Sequence, residues 1–409
     1  MAGKKVAIAM GRVYAGGTTE VARLLGVELV RRGYEVDYWL FDPKAPGKES
    51  LEETGLPIFH WTRGEFRWSE YIEKVGAALG GYDFVILNGS FAKIAFAALE
   101  FLPDTTYVIS LHHYVKVHPL EPLAFNGDRV NVFVGVSELA GRVMDEHFGG
   151  SRPVLAVPLG IPSNVEPESG REAEDSVFRI AYVGRLRESG KGIFMLPSIL
   201  RILKDRGMNF HFSVIGDGKD RQKLEQKFRD AGVSEQVTFL GQLDRTGVYK
   251  ELSRCHCSLL VSPSESFGLV LAEAQICGCL PVATWVDGST NRIIEDEVTG
   301  SLCRGRTAEN FAEKLMEWES DRRRWGECSQ QAIGAAERLF GVATMGERYE
   351  SLFKRLADGE FPLPRSRRAT AEELKNRWSR WRSMLAWPAA AGAKRFLNRI
   401  RLAAVERKW

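Results

Sequence analysis

The sequence has no apolar run long enough to cross a lipid bilayer. A membrane-spanning helix needs about 20 apolar residues, and the best candidate stretch, 84–102, contains Asn88, Lys93 and Glu100. The first apolar run, 6–10, is too short to be the core of a secretion signal. We therefore expect a cytoplasmic protein that does not span a membrane.

Cysteine is scarce, and its spacing does not fit a structural metal site. The six cysteines all lie in the second half of the chain, and the closest pairs are spaced C-x-C. Structural zinc sites usually place two to four residues between their cysteines. Cys257 and Cys277 stand in apolar sequence, and a free cysteine behaves as a small apolar side chain. We therefore expect buried free thiols, a reducing compartment and no bound metal.

Net charge is small over the whole chain but uneven along it. The formal charge of +3 comes from 56 Lys and Arg against 53 Asp and Glu. Residues 365–409 hold 13 basic and three acidic residues, so they carry +10 and residues 1–364 carry −7. Four of the ten tryptophans also lie in 365–409. The sequence thus predicts an acidic body with a basic, tryptophan-rich tail, and the average charge indicates no nucleic-acid partner.

The body consists of two runs in which strand and helix patterns alternate. In the first run, strands are predicted at 6–10, 36–40, 84–87, 107–111 and 132–136. After an acidic segment without apolar anchors, 166–176, strands are predicted at 178–183, 210–215, 237–240, 258–261 and 280–283. Such alternation predicts an α/β protein with two parallel sheets, each covered by helices on both faces. Ligands of these sheets bind beyond the carboxyl ends of the strands, so the glycine-rich turns there are candidate sites.

The first of these turns follows the first strand. Gly16 and Gly17 precede a predicted helix, where backbone N–H groups could approach a phosphate or a sugar. The spacing is not G-x-G-x-x-G, which weakens a dinucleotide-binding interpretation. A plain tight turn between strand and helix explains these glycines equally well.

The second turn follows the first strand of the second run. It contains Gly184, Arg185 and Lys191. Two cations six residues apart in a loop suit a diphosphate, because arginine binds two oxygens at once and lysine supplies a compact charge. The alternative interpretation is a solvated basic loop.

The third turn carries two carboxylates. Glu265 follows an apolar strand, and Glu273 lies on the next helix within the apolar stretch 269–276. A carboxylate there is costly unless it is paired or bound, and acidic residues hold ribose hydroxyls in nucleotide sites. The N–H groups of Phe267, Gly268 and Leu269 would face a phosphate at the helix N-terminus. The alternative is a helix-terminal glutamate next to a salt-bridged one.

Together these residues resemble the retaining glycosyltransferases of family 4, which have the GT-B fold. The resemblance covers about residues 177–305 with specific motifs and is weaker over the first run. The motifs are Gly184-Arg185-Leu186, Lys191-Gly192, Ile215-Gly216-Asp217-Gly218, Pro263-Ser264-Glu265-x7-Glu273, Cys277-Gly278-x-x-Pro281-Val282 and Thr299-Gly300.

The resemblance implies a domain plan. It implies two Rossmann-like domains that face each other across a cleft, followed by a basic amphipathic helical tail. The limits are an acceptor-side domain at 1–165, an acidic linker at 166–176, a nucleotide-sugar donor domain at 177–340, closing helices at 341–361 and the tail at 362–409.

The resemblance also implies residue roles on the donor side. Arg185 and Lys191 would neutralise the diphosphate of a nucleotide-sugar donor, beside Gly184. Glu273 would hold the ribose, and Glu265 would contact hydroxyls of the transferred sugar.

Across the cleft, the resemblance implies that Gly16, Gly17 and His112 face the donor. His112 is chosen over His113 because it fits the family's Thr/Ser-x-His pattern, and a core or surface histidine is the alternative. The loop around Leu243 would meet the base of the nucleotide.

Two departures from the family bear on donor-sugar recognition. Many members have Gly-Gly-x-x-Glu where this chain has Asp287-Gly288-Ser-Thr-Asn291, and Leu159 stands where an asparagine is usual.

The expected mechanism follows from charge. Breaking the bond between the anomeric carbon and phosphate places negative charge on the leaving diphosphate, which fixed cations stabilise. The sequence has no D-x-D motif, so we expect Arg185 and Lys191 to act in place of a divalent ion, with no cofactor. The resemblance implies retention, through front-face attack by the acceptor.

The tail has the pattern of a helix with an apolar stripe and basic residues on either side of it. A capping box at 370–373 precedes Leu374, Trp378, Trp381 and Leu385, which fall on one helical stripe flanked by basic residues. This composition is typical of helices that lie in an anionic membrane interface. The stripe could instead pack on the protein's own surface, and nucleic-acid binding is a weaker alternative.

The sequence thus predicts a membrane-peripheral, cytoplasmic glycosyltransferase that extends a lipid-linked or cell-envelope glycan. The rival enzyme class is a GT-B nucleotide-sugar epimerase or hydrolase. The rival non-enzymatic class is a silent scaffold that binds a sugar or a nucleotide, which the intact set of Arg185, Lys191, Glu265 and Glu273 disfavours.

Overall fold

A computed structural model gives the architecture of most of the chain. It describes residues 3–11, 13, 16–41, 45, 47–62, 64–89, 93–113, 129–148, 152–162 and 176–361. The predicted linker at 166–176 and the tail at 362–409 fall almost wholly or wholly outside these residues.

The first unit is a seven-stranded parallel sheet with the strand order β3-β2-β1-β4-β5-β6-β7. Its strands are β1 Lys5–Met10, β2 Glu35–Leu40, β3 Ile58–His60, β4 Phe84–Asn88, β5 Tyr107–His112, β6 Val132–Gly135 and β7 Val154–Ala156. Its helices are α1 Gly17–Arg31, α2 Glu49–Glu52, α3 Trp68–Leu79, α4 Lys93–Ala98 and α5 Glu138–Phe148. The central strands are buried on both faces, as expected of a parallel sheet covered by helices.

The second unit is a six-stranded parallel sheet with the order β10-β9-β8-β11-β12-β13. Its strands are β8 Phe178–Val183, β9 Phe210–Ile215, β10 Val237–Gly241, β11 Cys257–Leu260, β12 Leu280–Thr284 and β13 Ser301–Cys303. Its helices are the single turn α6 Glu188–Lys191, then α7 Leu196–Asp205, α8 Arg221–Asp230, α9 Arg245–Arg254, α10 Leu269–Ile276, α11 Ala308–Ser320 and α12 Arg322–Phe340. The prediction of two parallel α/β sheets is confirmed. The three-residue strands β3, β7 and β13 were not predicted.

Close backbone contact shapes the carboxyl edge of the second sheet. Gly216 has a φ of +128°, and a Cβ there would lie 2.0 Å from the carbonyl oxygen of Gly184. A Cβ at Gly218 would lie 2.3 Å from the carbonyl oxygen of Leu186. The loop after β9 therefore supports the loop after β8, where the cations of the candidate site lie.

The last described helix, α13 Val342–Ala357, returns to the first unit. Phe353 stacks on Phe84 of β4 with ring centroids 4.2 Å apart and meets Tyr34 edge-on at 5.3 Å. Arg32, which directly follows α1, donates to Glu350 Oε2 at 2.9 Å. A chain segment that follows the second sheet therefore completes the core of the first.

All six cysteines lie among the described residues, where they are buried and form no disulfide bond, as expected. No helix among the described residues has the length and apolar character needed to cross a membrane.

Candidate active site

The loop after β8 presents two cations at the carboxyl edge of the second sheet. The side chain of Arg185 is exposed, and no described residue forms an ion pair with it. The loop continues through the α6 turn, where Glu188 accepts from the backbone N–H of Phe194 at 2.8 Å. Gly192 has a φ of +64° and packs so closely on Arg306 that a Cβ would lie 2.0 Å from its Nη2. These contacts fix the backbone that carries Lys191.

Lys191 pairs with the first carboxylate of the third turn. Its Nζ donates to Glu265 Oε1 at 2.6 Å, and the glutamate side chain is only 12% exposed. Burial of a carboxylate is tolerable when a cation lies this close. The structure therefore joins the second and third predicted turns directly through the pair of Lys191 and Glu265.

Helix α10 begins at the carboxyl end of β11. Gly268 caps it with a φ of +90°, a backbone conformation that favours glycine. Phe267 is buried, and its carbonyl oxygen accepts from Ser289 Oγ at 3.2 Å. Leu269 and Glu273, one helical turn apart, are both half-buried while most of α10 is buried. Leu269 and Glu273 thus form a stripe on α10 that faces away from the core and is partly exposed.

Glu273 is paired with a residue that the sequence did not single out. Arg245, the first residue of α9, donates from Nη2 to Glu273 Oε1 at 3.0 Å, and the Tyr249 hydroxyl lies 3.5 Å from the same oxygen. Burial raises the pKa of Glu273, and the positive charge of Arg245 opposes that rise.

The first unit contributes its own glycine-rich turn to this region. A Cβ on Gly17 would lie 3.9 Å from Leu269 Cδ2 of α10, whereas Gly16 faces open space. Glu20, one turn into α1, accepts hydrogen bonds from Arg23 Nη2 at 2.6 Å and from Arg245 Nη1. The amino end of α1 and the stripe of Leu269 and Glu273 therefore lie face to face, with Arg245 joining them.

The two histidines at the end of β5, His112 within it and His113 directly after it, occupy enclosed positions. His112 is fully buried, and its Nε2 lies 3.0 Å from Ser110 Oγ, whereas His113 Nε2 lies 2.6 Å from Asn88 Oδ1. Asn88 in turn donates to the carbonyl oxygen of Thr18, at the start of α1. Burial lowers the pKa of His112 to about 3 and that of His113 to about 4, so both rings are neutral at neutral pH. The structure does not place His112 beside Lys191, Glu265 or Glu273 by any hydrogen bond, and its role remains a prediction.

Leu243 lies just before α9 and is half-buried against the core. Asp244 caps this helix by accepting from the N–H of Gly247 at 2.7 Å. The cap fixes the direction in which Arg245 leaves the loop. Leu243, whose loop is expected to meet the base, is therefore two residues from Arg245, the partner of Glu273.

The loop that departs from the family pattern contacts the first unit. Arg142 of α5 donates to Asp287 Oδ2 at 2.8 Å, and the N–H of Leu139 donates to the carbonyl oxygen of Gly288 at 2.9 Å. Gly288 has a φ of +72°, and a Cβ there would lie 2.9 Å from the Leu139 nitrogen. Asp287, which stands where the family has a glycine, thus forms an ion pair with the first unit, and Gly288, which keeps the family's glycine, lies where the two units meet closely.

Residues 166–336 match the family model of glycosyl transferases group 1. The D-inositol 3-phosphate glycosyltransferase of Paenarthrobacter aurescens (strain TC1) is 25% identical over 349 residues, which cover 75% of this chain and 85% of the relative. The phosphatidyl-myo-inositol mannosyltransferase of Mycobacterium leprae (strain TN) is 27% identical over 45% of this chain and 48% of its own length.

Solved structures extend the likeness to the whole fold. The crystal structure of Anabaena HepE in complex with UDP and glucose superposes with a TM-score of 0.73 at 18% identity, covering 86% of this chain and 99% of HepE. The apo form of the lipopolysaccharide outer core galactosyltransferase WaaB gives a TM-score of 0.67 at 19% identity. The GT-B architecture is confirmed, and the chain is a glycosyltransferase of the GT-B type.

Proposed function

We propose that this glycosyltransferase moves a sugar from a nucleoside diphosphate sugar to a glycan or lipid-linked acceptor, with retention of anomeric configuration. The observation that carries the proposal is the meeting of three elements at one edge of the second sheet. The Lys191–Glu265 pair and Glu273 lie on segments that follow the neighbouring strands β8 and β11, and the glycine turn of α1 approaches Leu269 of α10. The bound UDP of HepE supports a uridine nucleotide as the first donor to test.

On this proposal, the loop after β8 binds the diphosphate. Arg185 is exposed and Lys191 has one carboxylate partner, so both have N–H donors left for phosphate oxygens. Negative charge grows on the diphosphate as the glycosidic bond breaks, and cations already in place stabilise it without reorganisation. We propose that this pair makes a divalent ion unnecessary.

The carboxylates would hold the rest of the donor. Glu273 would accept hydrogen bonds from the ribose hydroxyls, and Glu265 would contact hydroxyls of the transferred sugar. Because Glu265 is already paired with Lys191, it suits hydrogen bonding near the phosphate better than attack on the anomeric carbon. We therefore propose front-face attack by the acceptor, with the leaving phosphate taking its proton, as in retaining family 4 enzymes.

The first experiment is a panel of nucleotide sugars scored by thermal stabilisation of the protein. We expect at least one UDP, GDP or ADP sugar to raise the melting temperature, because a ligand that binds only the folded state stabilises it. Glu273→Ala should bind that donor about tenfold or more weakly, since a hydrogen bond to a charged group contributes about 1.5–3 kcal/mol. Arg201→Ala, on the exposed face of α7, is the control. No stabilisation by any nucleotide sugar would refute the proposal, and conversion of the donor without an acceptor would favour the hydrolase or epimerase.

We further propose that the protein works at the cytoplasmic face of a membrane, in the synthesis of cell-envelope polysaccharide or glycolipid. The names of the mannosyltransferase and galactosyltransferase relatives, which refer to a phosphatidylinositol and a lipopolysaccharide, support this setting. The basic tryptophan-rich composition of residues 365–409 supplies a means of attachment.

Deletion of residues 365–409 tests the attachment. We expect the full chain to sediment with vesicles containing phosphatidylglycerol and the truncated chain to remain in the supernatant, with donor affinity unchanged. Vesicles of neutral lipid are the control, because the attraction of a segment with charge +10 requires anionic lipid. Equal sedimentation of both chains would contradict the assignment.

A further inference from the structure

We propose that Arg245 is a positioning residue, which keeps the carboxylate of Glu273 charged and oriented for the ribose of the donor and ties it to the first unit through Glu20. The inference rests on the proposed function, because it assigns Glu273 to the ribose. Arg245 belongs to none of the motifs by which the sequence resembles its family.

The geometry places the Arg245 guanidinium between two carboxylates from different units. Nη2 donates to Glu273 Oε1 at 3.0 Å, and Nη1 donates to Glu20 Oε1. The three side chains are 26%, 13% and 17% exposed, in the order Arg245, Glu273, Glu20. A guanidinium presents its donors in a rigid fork, so two fixed acceptors determine its orientation.

One oxygen of Glu273 is left for a ligand. Both protein donors, Arg245 and the Tyr249 hydroxyl, contact Oε1. No described residue donates to Oε2, and this oxygen is not fully buried. Arg245 and a ribose hydroxyl can therefore share the carboxylate, with the arginine on one oxygen and the ribose on the other.

The charges in this cluster balance only while Arg245 is present. Glu20 also accepts from Arg23, so two cations face two anions. Without Arg245 the cluster has a net charge of −1, and Glu273 loses its only cationic partner among the described residues. Loss of one partner of a poorly solvated ion pair leaves an uncompensated charge on the other. The Glu273 carboxylate would avoid this charge by taking up a proton.

The groups that face Glu273 in the described part of the chain set the direction of the effect. Arg245 and Tyr249 come from α9, and Glu20 comes from α1. Burial and the negative charge of Glu20 raise the pKa of Glu273, whereas Arg245 and the Tyr249 hydroxyl lower it. Removal of Arg245 should therefore raise the pH at which Glu273 ionises, and removal of the charge on Glu20 should not raise it.

The experiment measures nucleoside diphosphate affinity against pH by titration calorimetry, with whichever of UDP, GDP and ADP binds the wild-type protein most tightly. In Arg245→Gln, the pH below which affinity falls should move up by about one unit or more, and affinity below it should fall about tenfold per pH unit. In Glu20→Gln, the same pH should stay or move down. Arg245→Lys keeps the charge and should remain close to the wild type. The titration of the ligand itself is common to all variants, so differences between them report on the protein.

Each outcome decides the proposal. Arg245→Gln with wild-type pH dependence would show that the arginine only joins the two units, and it would overturn the inference while leaving the proposed function intact. An upward shift in Glu20→Gln would also overturn it, and that variant decides the matter if Arg245→Gln does not fold. If the wild-type protein binds none of the three diphosphates, the proposed function fails and the inference fails with it.

Discussion

Replacement of Lys191 by alanine is expected to lower kcat by about 10²–10³, the usual effect of removing one preorganised group that stabilises a developing negative charge. Lys191 lies on a backbone fixed by Glu188 and Gly192, so its charge is in place before the reaction begins. The charge on the diphosphate increases in the transition state, so kcat should fall more than donor affinity. The measurement is the rate of nucleoside diphosphate release from the donor found in the panel.

Two further variants separate the proposed role from the local effect on Glu265. Lys191→Ala leaves the 12% exposed carboxylate of Glu265 without its cation, which could disturb the site by itself. The double variant Lys191→Ala, Glu265→Gln removes that charge and should not recover activity. Lys74→Ala, on the exposed face of α3, should leave the rate unchanged. Recovery in the double variant would mean that Lys191 serves only to neutralise Glu265.

The fold was predictable from the sequence because parallel strands buried on both faces leave continuous apolar runs. The strand Phe84–Asn88, predicted at 84–87, is an example. The strands Phe178–Val183 and Phe210–Ile215 each carry a polar residue at their second position, and their limits were still predicted to the residue. The edge strands β3, β7 and β13 are only three residues long. A run of three residues is too short to show a hydrophobic period in the sequence. Such a strand forms through backbone hydrogen bonds to its neighbouring strand.

The candidate site was predictable only in part. Glu273 could be found because a carboxylate in apolar sequence is costly and must have a partner. Glu265 could be found because it lies in the turn after an apolar strand, where ligands of such sheets bind. The identity of those partners depends on tertiary structure. The pair of Arg245 and Glu273 joins two helices, and Glu20 comes from the other unit. The sequence offers only a weak hint of Arg245, which lies one turn from Tyr249 on the same helix face.

His112 shows where two kinds of sequence reasoning disagree. The family pattern selects it for the donor site. The period of two along a strand places it on the same face as Val108 and Ser110, and this face packs against the helix-covered core with Phe133. The structure follows the strand period in burying the ring completely. The donor-site role of His112 therefore stays a prediction, and burial lowers the pKa of the ring so that it is neutral at neutral pH.

Replacement of Phe353 by alanine is expected to destabilise the first unit by about 3–5 kcal/mol, the usual cost of deleting a buried phenyl ring. Phe353 is fully buried between Phe84 of β4 and Tyr34, although it lies nearly 200 residues after the last strand of that sheet. In a unit of this size, such a loss should lower the melting temperature by about 6 °C or more.

Leu339→Ala is the matched control, because Leu339 is 37% exposed on the neighbouring helix α12 and its truncation should cost less than about 0.5 kcal/mol. A melting temperature for Phe353→Ala within about 1 °C of the control would show that α13 does not stabilise the first sheet. If the large effect is found, the packing of α13 on the first sheet is one physical cause of the active-site geometry. Helix α13 then fixes the first unit, and with it α1 and Glu20, relative to the second unit from which the helix emerges. Under that condition Phe353→Ala should also weaken donor binding, although the ring touches none of the residues proposed to hold the donor.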